Sequence, residues 1–464
     1  MRIALISREY PPDSGWGGIA TYTYHQAQSL KELGHDVEVF ALTKQGEEQP
    51  SSTKVSDGIK VHRIKCEEPL NNLAMLQAAI PFSHYMLKSV FALARKVFEV
   101  HSKNPFEVAE APEHLAEGLG LAMTRRIPLV IRLHTPQSKL IAEGFHNLTA
   151  SFDQQFVAMV ERLAIIGADV ITSPSEDMAD YVSKDMNYAR DAIYIVRNPV
   201  DSDKFCPEGA RALEHKDELT MLFVGRLEQR KGIHYLIEAV PAVLKACPKV
   251  KFVIIGGDTN NGAGQKSVLA ELKESLESSG VEDKVTFVPH VPLADMPAYY
   301  RSADVCLVPS LYDNAPCTCL EAMSSGKAIV TTSAGGSSEY VLDGECGLVV
   351  APANAAALAE AIIRLATETD LRRRMGDSGR ERVLQNFKKT IIAEHSLEYY
   401  KLAIEKFAAS NGRANYMKEN DALLDDANAL FKSFDEMLYN FLYVQSLDFR
   451  VKHRLKRVYT MVKG

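Results

Sequence analysis

The sequence predicts an α/β chain of two doubly wound domains followed by a helical tail. Three observations carry that prediction. Short apolar runs alternate with helical patterns as far as Val350. Most of these runs are continuous, not alternating, which marks strands buried on both faces and so parallel sheets covered by helices. The series also occurs twice, interrupted at Asn198-Pro199-Val200-Asp201 through Pro207, where the apolar pattern stops and two prolines intervene.

The first series places strands at residues 3–7, 37–43, 61–65, 106–110, 129–134, 170–173 and 193–196. The opening MRIALISREY is too short an apolar run for a signal-peptide core and reads as the first of these strands. The second series places strands at residues 220–225, 251–256, 285–289, 305–309, 329–332 and 347–350, with a helix over 233–244 and another starting near Pro316. Beyond Val350 the pattern is helical. A long helix over 390–406 is stopped by Ser410-Asn411-Gly412. In the tail, Leu423, Ala427, Leu430, Phe431, Phe434 and Leu438 fall at helical spacing and form one apolar stripe. The expected division is 1–200, 201–385, a helix over 386–410 that returns to the first domain, and a tail over 411–464.

Composition narrows the function. The 464 residues carry 53 Lys+Arg against 60 Asp+Glu, a net charge of -7, which argues against nucleic-acid binding through bulk positive charge. With 46% hydrophobic residues the chain can bury full cores and is not mainly disordered. No apolar run is long enough to span a bilayer. The seven cysteines have no metal-like spacing with His, so reduced cytoplasmic thiols are expected.

Three segments, each between a strand and a helix, carry chemistry. After the fourth strand of the second series comes Asp313, then Glu321 on the helix that begins near Pro316. The start of a helix offers free backbone N–H groups and a positive dipole end, which suits a diphosphate, while carboxylates beside it accept from sugar or ribose hydroxyls. After the first strand of that series, Gly225-Arg226 and Lys231-Gly232 put cations at a strand-to-helix turn, with Arg230 adjacent, and such cations hold phosphate oxygens. After the fifth strand, Gly335-Gly336 and Glu339 repeat the placement. In the first half, Asp13 through Gly18 is not a nicotinamide-binding G-x-G-x-x-G, but Gly17 and Gly18 allow a ligand near the backbone. His134 ends its strand facing the same crevice. Asp201-Ser202-Asp203 has the form of a metal-binding Asp-x-Asp but sits in the interdomain linker, and no metal site is expected. The six Lys/Arg among residues 444–464 suit peripheral contact with an anionic membrane.

Taken together and in order, these motifs resemble the retaining family 4 glycosyltransferases (glycosyl transferases group 1) of GT-B fold, from about Met1 to about Lys406. Pro11-Pro12, Leu33-Gly34-His35-Asp36-Val37, Asn198-Pro199-Val200-Asp201 and Tyr300 with Ala303-Asp304-Val305 belong to the match. The resemblance implies two Rossmann-like domains facing a cleft, with a nucleoside-diphosphate sugar held by the second. Arg226 and Lys231 match the family's diphosphate cations and His134 a residue at the reacting centre. Gly17 and Gly18 match a loop near phosphate and acceptor, Gly335, Gly336 and Glu339 the segment facing the donor sugar, and Gly256 a position near the base. Where the family has Glu, seven residues, Glu, this chain has Asp313 and Glu321, the first implied to contact donor-sugar hydroxyls and the second the ribose. The implied reaction is metal-independent transfer of a hexose-type sugar to a glycan or lipid-linked acceptor, with no other cofactor and no nucleic acid. Removing Arg226 or Lys231 is expected to abolish turnover with the fold intact. A sugar-nucleotide epimerase or hydrolase, and a non-catalytic sugar-nucleotide-binding scaffold, are the alternatives. Residues 411–464 have no counterpart in the family.

Overall fold

The computed structural model describes residues 1–12, 17–44, 51–66, 74–144, 151–213, 217–260, 262, 266–289 and 291–410. The tail, the Asp13–Trp16 part of the glycine loop and residues 67–73 and 145–150 are among those outside them.

An eight-stranded sheet is built from β1 (Arg2–Ile6), β2 (Asp36–Leu42), β3 (Ser52–Ser56), β4 (Ile59–Ile64), β5 (Val108–Pro112), β6 (Leu129–Arg132), β7 (Val170–Ser173) and β8 (Ile193–Ile195), in the order β3-β4-β2-β1-β5-β6-β7-β8. A six-stranded sheet follows, from β9 (Leu219–Val224), β10 (Val250–Ile255), β11 (Val285–Val288), β12 (Val305–Val308), β13 (Ala328–Thr332) and β14 (Leu348–Val350), in the order β11-β10-β9-β12-β13-β14. Every strand expected from the sequence is present. The expectation omitted β3, which pairs antiparallel with β4 and is mostly exposed. Its Ser-Thr-Lys-Val-Ser pattern lacks the continuous apolar run that marks the others.

The first half carries α1 (Gly18–Glu32), α2 (Ala74–Ala79), α3 (Pro81–Lys103), α4 (Leu119–Thr124), α5 (Gln137–Ala142), α6 (Phe152–Ile166) and α7 (Glu176–Met186). The second carries α8 (Ile233–Ala246), α9 (Val268–Ser279), α10 (Met296–Ser302), α11 (Cys317–Ser324), α12 (Ser337–Tyr340), α13 (Ala355–Thr367) and α14 (Thr369–Asn386). Both faces of each sheet are covered. In the first, one core joins Phe91, Val97, Leu129 and Val157, and the other joins Leu5, Val39 and Leu30. In the second, Phe223, Val240 and Ile362 lie on one side and Leu222, Tyr300 and Met323 on the other.

Helix α15 (Lys389–Ala409) packs back on α1 and on the first sheet. Its entry is fixed where the chain crosses itself: the Val200 amide donates to the Phe387 carbonyl (3.0 Å) and the Lys389 amide to the Val200 carbonyl (3.1 Å). Asp201 belongs to this crossing. Its carboxylate accepts from the Lys204 amide (3.2 Å) and from Lys389 (3.5 Å), so the Asp-x-Asp triplet serves as a junction anchor.

In each sheet the strand order reverses beside the first strand of its series, at β1/β5 and at β9/β12. Loops leaving the carboxyl ends of strands at such a reversal diverge and leave a crevice. Of the sequence-derived site residues, Gly17 and Gly18 follow β1, Arg226 and Lys231 follow β9, and Asp313 follows β12, while His134 follows β6, Gly256 follows β10, and Gly335, Gly336 and Glu339 follow β13.

Candidate functional site

Past β9 the chain makes a short 3-10 turn at Gln229–Lys231 and enters α8 through Gly232, whose φ is +68°. A Cβ there would overlap the carbonyl oxygen of Pro309, so both conformation and space require glycine. The close approach brings the β9 and β12 loops together. Lys231 Nζ lies 2.5 Å from Asp313 Oδ2, and Arg230 Nη1 lies 4.0 Å from Oδ1. Burial alone would raise the Asp313 carboxyl, but Lys231 and then Arg230 outweigh it and hold the group below the usual carboxylate range.

The cations are gathered by a carboxylate that sequence reasoning missed. Glu228 is buried, and its Oε1 lies 2.9 Å from Arg230 Nη2 and 3.4 Å from Arg226 Nη2. Arg230 also donates to the Tyr312 carbonyl (3.2 Å). The Arg226 side chain is 60% exposed and reaches into the open. Gly256 serves backbone packing, since a Cβ there would overlap the Gly225 carbonyl.

Helix α11 begins at Cys317 with Pro316 as its N-cap and no side-chain cap; the Cys319 amide donates to the Pro316 carbonyl (3.0 Å), and the Cys317 and Thr318 amides are left for other acceptors. One turn on, Glu321 is buried and its Oε2 accepts from the Tyr300 hydroxyl (2.6 Å). Burial pushes its carboxyl up to about 7 against the lowering effect of that bond. Gly335, at φ +62°, and Gly336 lie on the backbone of Asp313 and Asn314, where side chains would overlap the two carbonyl oxygens. The glycine pair therefore lets its own loop lie directly against the Asp313 loop.

The first half meets this loop at its own carboxyl edge. The Asn314 amide donates to the carbonyl of His134 and accepts from the Ser175 hydroxyl. His134 lies two residues past the end of β6, and its ring packs edge-on to Tyr22 at 5.7 Å. Burial, then Arg132 and His114, hold the imidazole well below its usual range, so it is neutral. Its amide donates to Glu113 (2.7 Å). Glu113 is one of three buried acids behind the loop. Burial pushes Glu113 up to about 8 and Glu117 up to about 7, and holds Glu161 well above the carboxylate range. Glu161 accepts from the Leu115 amide (2.8 Å) and the Gln137 amide (2.6 Å), tying α6 to the turn after β5 and to the start of α5. Gly17 is the exposed N-cap of α1 and Gly18 its first residue.

Glu339 has a partner that the sequence did not suggest. Helix α12 is only four residues long, and the carboxylate instead accepts from the Glu176 amide (2.8 Å) and the Asp177 amide (2.9 Å) at the start of α7, and pairs with Arg197. Tyr312 donates to Asp177 in the same place (3.0 Å).

Two family profiles match in succession, "Glycosyltransferase Family 4" over residues 16–204 and "Glycosyl transferases group 1" over residues 208–382. This chain is a family 4 glycosyltransferase. Among its relatives, a glycogen synthase of Mycobacterium tuberculosis is 27% identical over 86% of this chain and 94% of its own length. A D-inositol 3-phosphate glycosyltransferase of Kineococcus radiotolerans is 28% identical over 89% and 97%. Among solved structures, a sucrose-phosphate synthase from Thermosynechococcus elongatus superposes with a TM-score of 0.70 at 26% identity, over 88% of this chain and 100% of the other. The fold is GT-B.

In this glycosyltransferase the structure brings Arg226, Lys231, Asp313, Gly335 and Gly336 to one end of the second sheet, and connects them through Asn314 to His134. Glu321 lies one layer deeper, against Tyr300. Glu228, Asn314 and Arg132 were not legible as site residues. Buried Arg132 donates to the Asn198 side chain (2.8 Å), which donates in turn to the Ala315 carbonyl (3.0 Å) just before α11. Among the described residues no helix is long and apolar enough to cross a membrane.

Proposed function

We propose that this glycosyltransferase moves a hexose-type sugar from a nucleoside-diphosphate sugar to a glycan or lipid-linked acceptor, with retention at the anomeric carbon and without a metal ion. The observation that carries this reading is the convergence of Arg226, Arg230 and Lys231 beside the uncapped start of α11, opposite His134. Three cations and free amides suit a diphosphate and supply the charge stabilisation that a metal ion otherwise gives.

As the bond from the anomeric carbon to the diphosphate oxygen breaks, negative charge grows on the leaving group, where Arg226 and Lys231 receive it. Lys231 exchanges its bond to Asp313 for a phosphate oxygen, which frees that carboxylate for sugar hydroxyls. Glu321 takes the ribose. Gly335, Gly336 and Glu339 line the sugar side, Gly256 the base, and Gly17 and Gly18 the phosphate from the first half. The acceptor hydroxyl attacks on the face the diphosphate leaves. Its oxygen bonds to the anomeric carbon, and its proton passes to a phosphate oxygen. Neutral His134 borders that centre as a hydrogen-bonding group. Closure of the halves excludes water. The six Lys/Arg among residues 444–464 support peripheral contact with an anionic membrane, and their removal is expected to lower sedimentation with anionic liposomes.

A panel of nucleoside diphosphates and their sugars, with and without EDTA, tests the donor reading by thermal shift. One nucleotide sugar is expected to stabilise the chain equally in both conditions. No shift with any donor would sink the diphosphate assignment, and an EDTA-sensitive shift would sink metal independence. NMR of the product then reads the anomeric configuration, and inversion would refute the mechanism. Donor turnover without a glycosylated acceptor would favour hydrolysis or epimerisation.

A further inference from the structure

Seven large apolar side chains are exposed among the described residues, and four of them, Phe152, Met159, Leu163 and Ile166, lie on α6 at 47–65% exposure. With half-buried Phe156, whose ring stacks on Phe152 at 6.1 Å, they recur at intervals of four, three, four and three residues. At about 100° per residue such a series stays within about 80° of arc. The opposite face is the core face, with Val157, Val160, Ala164 and Ile165. Helix α6 therefore has two apolar sides, one of them uncovered. A seam with this spacing is what one helix presents to another.

The chain itself supplies a matching helix. Leu423, Ala427, Leu430, Phe434 and Leu438 begin with the same four, three, four spacing, and Met437 falls at the next interval of three. Residues 423–438 would make a helix of about 24 Å and α6 is about 22 Å long, so the two seams are equal in extent. The chain also leaves the described structure at the right place. The Phe407 ring, near the end of α15, lies 6.0 Å from the guanidinium of Arg125, and Arg125 donates to the carbonyl of Gly167 (3.0 Å), the C-cap of α6. Ser410 is bonded back to Phe407 (3.2 Å). The tail thus departs beside the carboxyl end of the uncovered stripe. Residues 411–422 span up to about 40 Å when extended, ample to turn back along it. The two curated relatives described above match over nearly all their own length to 86–89% of this chain, so this chain carries an addition about the size of residues 411–464.

We infer that residues 423–438 form a helix that lies antiparallel on the outer face of α6 of the same chain, burying Phe152, Phe156, Met159, Leu163 and Ile166. The docked helix backs the element whose inner face, through Glu161, fixes the Leu115 and Gln137 amides on either side of the His134 loop.

The test uses the full chain with a photoreactive benzoylphenylalanine in place of exposed Leu163. Irradiation is expected to give cross-links to peptides from 423–438 within species of monomer mass, at a yield unchanged by tenfold dilution. Cross-links between two chains that rise with concentration would overturn the inference in favour of self-association. Absence of cross-links to 423–438 would overturn it outright, and liposome binding lost in Leu163→Asp would then assign the stripe to a membrane. A second variant leaves α6 untouched: Leu430→Asp with Phe434→Asp is expected to speed amide exchange in residues 157–166 by about threefold or more, with the mass still monomeric. Unchanged exchange there would contradict the docking.

Discussion

Lys231→Ala removes the closest cation from a carboxylate that is itself buried. The side chains of Lys231 and Asp313 are 19% and 13% exposed and lie 2.5 Å apart. Breaking a buried pair from one side typically costs about 3–5 kcal/mol, because the remaining charge is left desolvated. Arg230, 4.0 Å away and held by Glu228, stays and covers part of that loss, so about 2–3 kcal/mol is expected here. For a half of this size that corresponds to a thermal midpoint lower by about 5–10 °C. Adding Asp313→Asn removes the stranded charge and should recover most of the midpoint while donor turnover stays lost. Acid should act in the same direction. The stranded carboxylate carries the penalty only while it is ionised, so the deficit is expected to be smaller at pH 5 than at pH 7.5. Scanning calorimetry of the wild type, both single variants and the double variant at the two pH values gives the coupling directly. A Lys231→Ala midpoint equal to wild type, or a deficit that neither Asp313→Asn nor acid relieves, would refute the pairing. The sequence treats Arg226 and Lys231 alike, as replaceable with the fold intact. The structure gives Lys231 a second task.

Arg226→Ala is the contrasting case: its side chain is mostly exposed, so stability should stay within about 0.5 kcal/mol of wild type while kcat/KM falls about 10²–10³-fold, measured with saturating acceptor. Asp313→Glu should stay folded and shift the ratio of kcat/KM between two donor sugars by about tenfold; an unchanged ratio would mean that position 313 does not read the sugar. Glu113, with its carboxyl raised to about 8, costs nothing while protonated below about pH 4.5 and destabilises the fold increasingly as pH rises towards 8, by about 3 kcal/mol between pH 5.5 and 8. Glu113→Gln keeps an acceptor for the His134 amide and should flatten that part of the thermal-midpoint-versus-pH curve; parallel curves for the two proteins would exclude the assignment.

The sequence by itself determined the two parallel sheets, because a strand buried on both faces is written as a continuous apolar run, and Ile3–Ile6 and Leu222–Phe223 are such runs. It also located the loops that the fold brings together as the candidate site, since cations, carboxylates and glycines between a strand and a helix keep a local signature, as at Arg226, Lys231 and Asp313. Strand β3 escaped because its exposed edge has no apolar run to read. The tertiary structure decided what each site residue touches. Lys231 and Asp313 are 82 residues apart, Asn314 and His134 are 180 apart, and Glu339 finds the first amides of α7 across 162 residues or more. Nothing in a local pattern encodes such a pairing. It depends on where two sheets set the ends of their strands, and on glycines at 232, 335 and 336 that let backbones from different loops come within contact of each other.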